Sequence, residues 1–497
     1  MSYFTIAFNI IAGLVYTPWM ISKIGQSNYG LYTLASSLIT LFVMDFGMSA
    51  AVGRFMSIYI AKGEYEKANN FMGLVYKMYL LVDAVIFSAL FVAYFFINTI
   101  YKQLMPEEIV ILKRLYIIVA LYSVIQFPFM NLNGILTANE KFIQLKACDL
   151  FHKVFIIVTV VAALLLGFGV EALVTANALS GLLTIALKLT VIRRGTRLRS
   201  NFRFFDKSML KDIFGFSVWT TVSTLMQRLI FNITPTIIAA VSVTGSAGTA
   251  LFGLASTIEG YVYTFATAIN GMFMPRISKI IVSGKKDEDL MPLMIKVGRI
   301  QIMIIGIITV GFIALGKPFI VNIWHKPDFI ESYICAVLLI IPSFFYLPLQ
   351  IANTTLIVEN KVKLQAIIFI IMGVANVGLS LPLSKLYGAT GASAAICIAY
   401  FIRNILMVIT HQKVLKLDMP RFFRESYLKL IPHLLVTLAA GIACNRFNPV
   451  TNVYISFIMN GAVTVGVYAF IMYFFGINDY EKRLIHRTVR KLTRKRG

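Results

Sequence analysis

Fourteen apolar runs, most of them twenty residues or longer, dominate the chain. They lie at 2–21, 29–56, 71–98, 110–136, 143–167, 170–192, 212–240, 248–275, 291–315, 330–356, 364–384, 387–410, 425–445 and 450–475. A helix needs about 20 apolar residues to cross the hydrocarbon core of a bilayer. In that core every backbone polar group must be satisfied internally, which leaves helices or closed barrels, and runs this long are helices. The expected fold is an all-α polytopic membrane protein with about 14 transmembrane helices. Composition agrees: 58% of the 497 residues are apolar and 14% are charged, where a soluble domain carries about 25% charged residues. The first run has no basic leader and no small-residue cleavage site, so it reads as a span rather than a signal peptide.

Lys and Arg orient the chain. Loops after even-numbered runs, with the C-terminal tail and Lys146 at the start of the fifth run, hold 29 of them, whereas loops after odd-numbered runs hold 6. Cationic loops stay in the cytoplasm, so both termini are expected there. The net charge of +24 sits mostly in these loops and the tail. It reads as topology and attraction to anionic lipid, and excludes nucleic acid as the natural partner. The chain also repeats itself. Thr17-Pro18 matches Thr234-Pro235, Leu34-Ala35-Ser36 matches Leu254-Ala255-Ser256, and Arg54 matches Arg276. The copies stand six runs apart and point the same way, as in parallel-repeat transporters. The expected organisation is a six-helix lobe at 1–192, a basic cytoplasmic linker at 193–211, a second six-helix lobe at 212–412, two further helices at 413–476, and a basic tail at 477–497.

Charges at membrane depth are costly and mark functional positions by default. Asp45, Asp83 and Lys153 each lie about 10–12 residues from a cytoplasmic end, roughly 15–18 Å deep at 1.5 Å per residue. Lys146, Asp149 and Lys153 share one helix face. Arg228 and Glu259 fall at equal depth on adjacent antiparallel runs, so an Arg228–Glu259 ion pair is expected. Arg54, Arg299 and Arg403 lie nearer the inner surface. Two readings stay open. The charges glue helices together, or they line a hydrated cavity. In the cavity reading, Arg54, Lys153, Arg228, Arg299 and Arg403 hold an anionic headgroup, and Asp45, Asp83 or Glu259 bind a coupling proton or Na⁺. The chain has no Walker A motif and no HExxH, and its histidines are scattered. Asp287-Glu288-Asp289 is an isolated D-x-D string. No catalytic residue, metal site or cofactor is expected.

Thr17-Pro18, Lys23-Ile24-Gly25, Tyr29-Gly30-Leu31-Tyr32, Asp45-Phe46-Gly47 and Arg54 carry a resemblance. With them the chain resembles polysaccharide flippases, the O-antigen-type (Wzx-like) members of the multidrug/oligosaccharidyl-lipid/polysaccharide superfamily. The match is tight over residues 10–70 and continues as span pattern and repeat. The resemblance implies a V-shaped, two-lobed, MATE-like transporter that alternates between inward- and outward-facing states in the bacterial cytoplasmic membrane. It implies a substrate of undecaprenyl-diphosphate-linked oligosaccharide, an O-antigen or related lipopolysaccharide unit, moved to the outer leaflet. Membrane lipid, and polymerase and chain-length proteins of the same pathway, are candidate partners of a monomer. A multidrug or cation antiporter on this fold, and a membrane polymerase or glycosyltransferase, are the competing expectations.

Overall fold

The computed structural model describes residues 2–42, 48–267, 273–284, 286–324, 326–359 and 361–483. Asp45 lies outside the described residues, and so does the side chain of Arg54. Among the described residues every regular element is helical. The first ten helices are α1 (Ser2–Ile24), α2 (Gln26–Phe42), α3 (Met48–Ala61), α4 (Tyr65–Ile100), α5 (Pro106–Gln126), α6 (Leu132–Ala138), α7 (Phe142–Leu165), α8 (Val170–Gly195), α9 (Lys207–Val241) and α10 (Gly245–Thr267). The rest are α11 (Met274–Val282), α12 (Met291–Pro318), α13 (Ile330–Tyr346), α14 (Gln350–Val358), α15 (Val362–Lys413), α16 (Met419–Glu425), α17 (Tyr427–Phe447) and α18 (Val453–Ile471).

Eight helical segments among the described residues are long and apolar enough to cross a membrane. That is fewer than the fourteen apolar runs, and part of the difference is a merger. α15 is 52 residues long and carries two of the runs. Its backbone leaves the helical region at Tyr387 and Gly388, where Gly388 takes φ +57°. Only glycine enters that left-handed region without steric cost, so the chain turns there, at the boundary expected between 364–384 and 387–410. Proline makes the other interruptions. Phe127–Phe129, with Pro128, is a 3₁₀ turn that separates α5 from α6. Leu347–Leu349, with Pro348, separates α13 from α14 in the same way. These two breaks fall in the fourth and tenth runs, six apart, and so extend the repeat beyond the motifs that first suggested it.

By contact the chain forms two compact units. One comprises Met1–Ser256 and Val362–Ala399, the other Thr257–Lys361 and Tyr400–Gly497. In the first, α2 crosses the start of α10 at Gly30. A Cβ on Gly30 would stand 1.9 Å from the Ser246 carbonyl oxygen, so the Tyr29-Gly30-Leu31-Tyr32 motif needs glycine for that crossing. Beside it, Glu108 accepts hydrogen bonds from Ser27 and Ser246, the latter at 2.5 Å, and caps the Met105 amide at 3.0 Å. One carboxylate thereby ties together the N-terminal ends of α2, α5 and α10.

In the second unit, α12, α17 and α18 pack against one another. Arg299 of α12 is 4% exposed and Glu481 3% exposed. The guanidinium Nε donates to Glu481 Oε1 at 2.6 Å and Nη2 to Oε2 at 3.0 Å. Nη2 also donates to the Gly476 carbonyl at 2.7 Å, and Nη1 to the Glu425 carbonyl at 2.9 Å. The bidentate pair and two carbonyls satisfy the cation from three segments at once. Between α14 and α15, Glu359 bridges Lys286 and Lys361, the latter at 2.7 Å. Burial opposes ionisation of Glu359, but hydrogen bonds and charge from Lys286 and Lys361 outweigh it and hold the carboxyl below the usual glutamate range.

Two expectations follow from these contacts. Removing one partner of a buried pair leaves the other charge uncompensated, at a cost of about 3–5 kcal/mol. Arg299→Ala should therefore lower the melting temperature in detergent sharply, and Arg299→Ala with Glu481→Ala together should be less damaging than the sum of the singles. Additive losses would remove the pair as the cause. Glu359 has a depressed folded pKa, so its stabilisation is complete above the unfolded value of about 4.3 and is lost as pH falls through the folded one. Glu359→Gln should cost about 1 kcal/mol or less at neutral pH, since water reaches the pair. It should also flatten the decline of melting temperature below about pH 4.

Candidate functional site: two charged clusters

The first compact unit holds a cationic cluster on α6, α7 and α8. Lys188 of α8 is 9% exposed. Its ammonium donates to Asn133 Oδ1 at 2.9 Å and to Asp149 Oδ1 at 3.0 Å. Lys146 approaches the other Asp149 oxygen at 3.6 Å. The Asp149 side chain keeps 38% of its surface exposed, so the centre of the cluster stays accessible. One turn further along α7, Lys153 is exposed. Beside it, His152 meets the Ser180 hydroxyl at 2.9 Å through Nδ1. Helix geometry makes this face: residues 146, 149 and 153 are spaced three and four apart. Lys188 lies seven residues before the end of α8 at Gly195, and Asp149 seven after the start of α7 at Phe142. The two helices pack side by side, so equal distances from the shared end bring the charges level. Two lysines on one aspartate, with Lys153 a turn away, form a net positive cluster with one anion already seated in it.

The second unit holds a buried cluster. Arg403 of α15 is 1% exposed and its guanidinium lies between two aromatic faces, 3.9 Å from the Tyr346 ring centroid and 4.2 Å from that of Tyr400. Its Nε and Nη2 donate to Asn404 Oδ1 at 3.2 and 3.0 Å, and Asn404 in turn donates to the Pro342 carbonyl at 2.9 Å. A desolvated cation on aromatic faces gains about 2 kcal/mol, and the planar fork of arginine suits such stacking where lysine does not. Glu259 of α10, 5% exposed, accepts from Ser343 at 3.1 Å, with the Arg403 charge acting on it through space. Arg403 and Glu259 thus sit in a shell of hydroxyl, amide and ring groups.

These positions sort the residues singled out from sequence. Lys153 and Arg228 are exposed. Arg299 and Arg403 are buried and engaged by protein groups, which leaves neither a free fork for a headgroup. Asp83 is 8% exposed, and its Oδ1 has no hydrogen-bond partner among the described residues. The expected Arg228–Glu259 pair joins residues of different compact units, Arg228 in the first and Glu259 in the second; within its own unit Glu259 has Ser343 and the Arg403 charge. Sequence reasoning missed Lys188, which stands five residues before Arg193 and passes for the start of a basic loop. It also missed Glu108 and Glu481, which look like loop and tail acids until their partners are seen.

Comparison with known proteins agrees with this architecture. The family described as "Polysaccharide biosynthesis protein" matches residues 2–281. The uncharacterized membrane protein EpsK of Bacillus subtilis (strain 168) is 23% identical over 495 residues, covering 96% of this chain and 94% of that protein. Among solved structures, the lipid II flippase MurJ in an inward closed conformation superposes with a TM-score of 0.70 at 16% identity, covering 98% of this chain and all of the other. An inward-facing multidrug resistance MATE family transporter of the MOP superfamily gives 0.59 at 17% identity, over 84% of this chain and 95% of its own. The shared fold is that of membrane transporters.

Proposed function

The chain belongs to the polysaccharide biosynthesis protein family of multi-pass membrane proteins, and from that premise we propose that it flips a polyprenyl-diphosphate-linked oligosaccharide. The substrate moves from the inner to the outer leaflet of the bacterial cytoplasmic membrane, and both termini stay in the cytoplasm. The observation that carries this reading is the Lys188–Asp149–Lys146 cluster with Lys153 beside it. A sugar head on a diphosphate cannot cross hydrocarbon unaided. It needs cations at membrane depth, presented by a face that water also reaches. Asp149 serves as a stand-in anion. It pairs with Lys188 and Lys146 and orients them while the site is empty. A diphosphate carries more charge than one carboxylate, so it displaces Asp149 from the lysines on arrival. Release on the far side lets Asp149 close the pair again.

Two buried carboxyls are the candidates for a coupling ion. Asp83 has an oxygen without a partner, as a proton acceptor in apolar surroundings would. Glu259 answers to Ser343 and Arg403, so protonating it would leave Arg403 to the two tyrosine rings and Asn404. Either change gives an ion a way to bias two states, because a charge at depth is worth several kcal/mol. No bond to the substrate is made or broken.

The test is transport in proteoliposomes carrying a lipid-linked oligosaccharide whose outer-leaflet fraction is read with an impermeant sugar-modifying reagent. Lys188→Gln keeps the hydrogen bonds to Asn133 and Asp149 but removes the charge. Combined with Lys153→Gln, it should slow flipping by at least about tenfold, or ~1.4 kcal/mol, with the melting temperature little changed. Wild-type flipping by the folded double variant would overturn the assignment.

A further inference from the structure

Helices α4 and α5 leave a groove between them, within the first compact unit. Phe87, Phe91 and Tyr94 form one wall, and Tyr116, Ile117 and Leu121 the other. The cavity measures about 260 Å³. Its lining is apolar, and the Tyr116 hydroxyl is already donated to the Leu90 carbonyl at 2.8 Å. Phe87, Phe91, Ile117 and Leu121 are each between 44% and 58% exposed, so the groove opens along its length. α4 is one of the membrane-length helices. A groove of such rings on it therefore faces hydrocarbon chains, not water. Its size is below the roughly 300–1,000 Å³ of pockets that enclose a whole small molecule. It suits one narrow chain laid along the helices.

One end of this groove is charged. Lys113 of α5 places its ammonium 5.6 Å from the centre of the Tyr94 ring. The next residue, Arg114, has Glu171 at 3.8 Å. Lys113 has no ion-pair partner among the described residues. Tyr94 lies six residues before the end of α4 at Ile100, about 9 Å along the axis. The lysine thus stands within two turns of the helix end, from where its long side chain reaches the headgroup level. A cation in that place, without a carboxylate, calls for an anion from outside the protein.

We propose that the α4–α5 groove binds an anionic phospholipid, with one acyl chain between the aromatic walls and the phosphate on Lys113. A zwitterionic lipid offers the same chain but carries its own ammonium, so it gains less at Lys113. A net negative headgroup such as that of phosphatidylglycerol gains the full pairing. The site is separate from the Lys188 cluster and from the translocation reading, and stands or falls without them.

The experiment is native mass spectrometry of the full chain released from detergent and titrated with phosphatidylglycerol or phosphatidylcholine. Wild type should retain phosphatidylglycerol about fivefold better, the factor that ~1 kcal/mol per headgroup contact gives. Lys113→Gln, a half-exposed position, should keep chain binding and lose that preference. Leu121→Trp fills the groove and should weaken both lipids. Equal retention by wild type and Lys113→Gln would overturn the proposal, even if Leu121→Trp failed to fold. Displacement of phosphatidylglycerol by an equal amount of polyprenyl phosphate would overturn it as well, by giving the groove to a different lipid.

Discussion

A charge at membrane depth cannot be left alone, and each described cluster answers that constraint in its own way. Arg299 meets a bidentate carboxylate and two backbone carbonyls. Arg403 meets two aromatic faces and an amide. Lys188 meets an aspartate and an amide. Taking an ion out of water costs several kcal/mol even after relaxation, so the contacts of the two buried arginines are conditions for folding before they are anything else. What separates them is how completely the protein closes over each one.

That difference divides structure from function. The Arg299–Glu481 pair is sealed on both sides and joins α12 to the chain beyond α18, which gives it a fixed, stabilising role. Asp149 keeps over a third of its side chain open while holding two lysines. An anion held loosely in a cationic cluster is one that a stronger anion replaces. The sealed pair and the open one both join a carboxylate to a cation, and exposure is what distinguishes the second, on which the proposed exchange rests. The Glu108 node and the Gly30 crossing belong with the sealed kind. They bring α2, α5 and α10 together through short contacts that a larger side chain or a missing carboxylate would break.

Much of the fold was legible in the residues. Run length and hydropathy identified an all-helical membrane protein, and the break between 364–384 and 387–410 falls at the glycine that makes it. Three short motifs suggested a six-run repeat, and the 3₁₀ breaks at Pro128 and Pro348 stand at corresponding places within that reading. The partners of the charges were less legible. Nothing in the sequence pointed to Ser343 and Arg403 as the groups around Glu259. Lys188 and Glu481 were hidden because a lysine near a basic loop and an acid in a basic tail look solvated. Their burial comes from tertiary packing against other helices, which no local window contains.

The central claim is that the α7 face and Arg228 look into water at membrane depth and share it with the substrate. The measurement that reaches it most directly is thiol accessibility. In a chain lacking Cys148, Cys335, Cys397 and Cys444, Lys153→Cys, Arg228→Cys and Phe91→Cys would each be exposed to an impermeant maleimide in membrane vesicles. The first two should be labelled, labelling should slow when a diphosphate-linked oligosaccharide is present, and the lipid-facing Phe91→Cys should stay unreactive. If Lys153→Cys and Arg228→Cys were as inert as Phe91→Cys, the charges would face lipid or protein, and the passage would not exist.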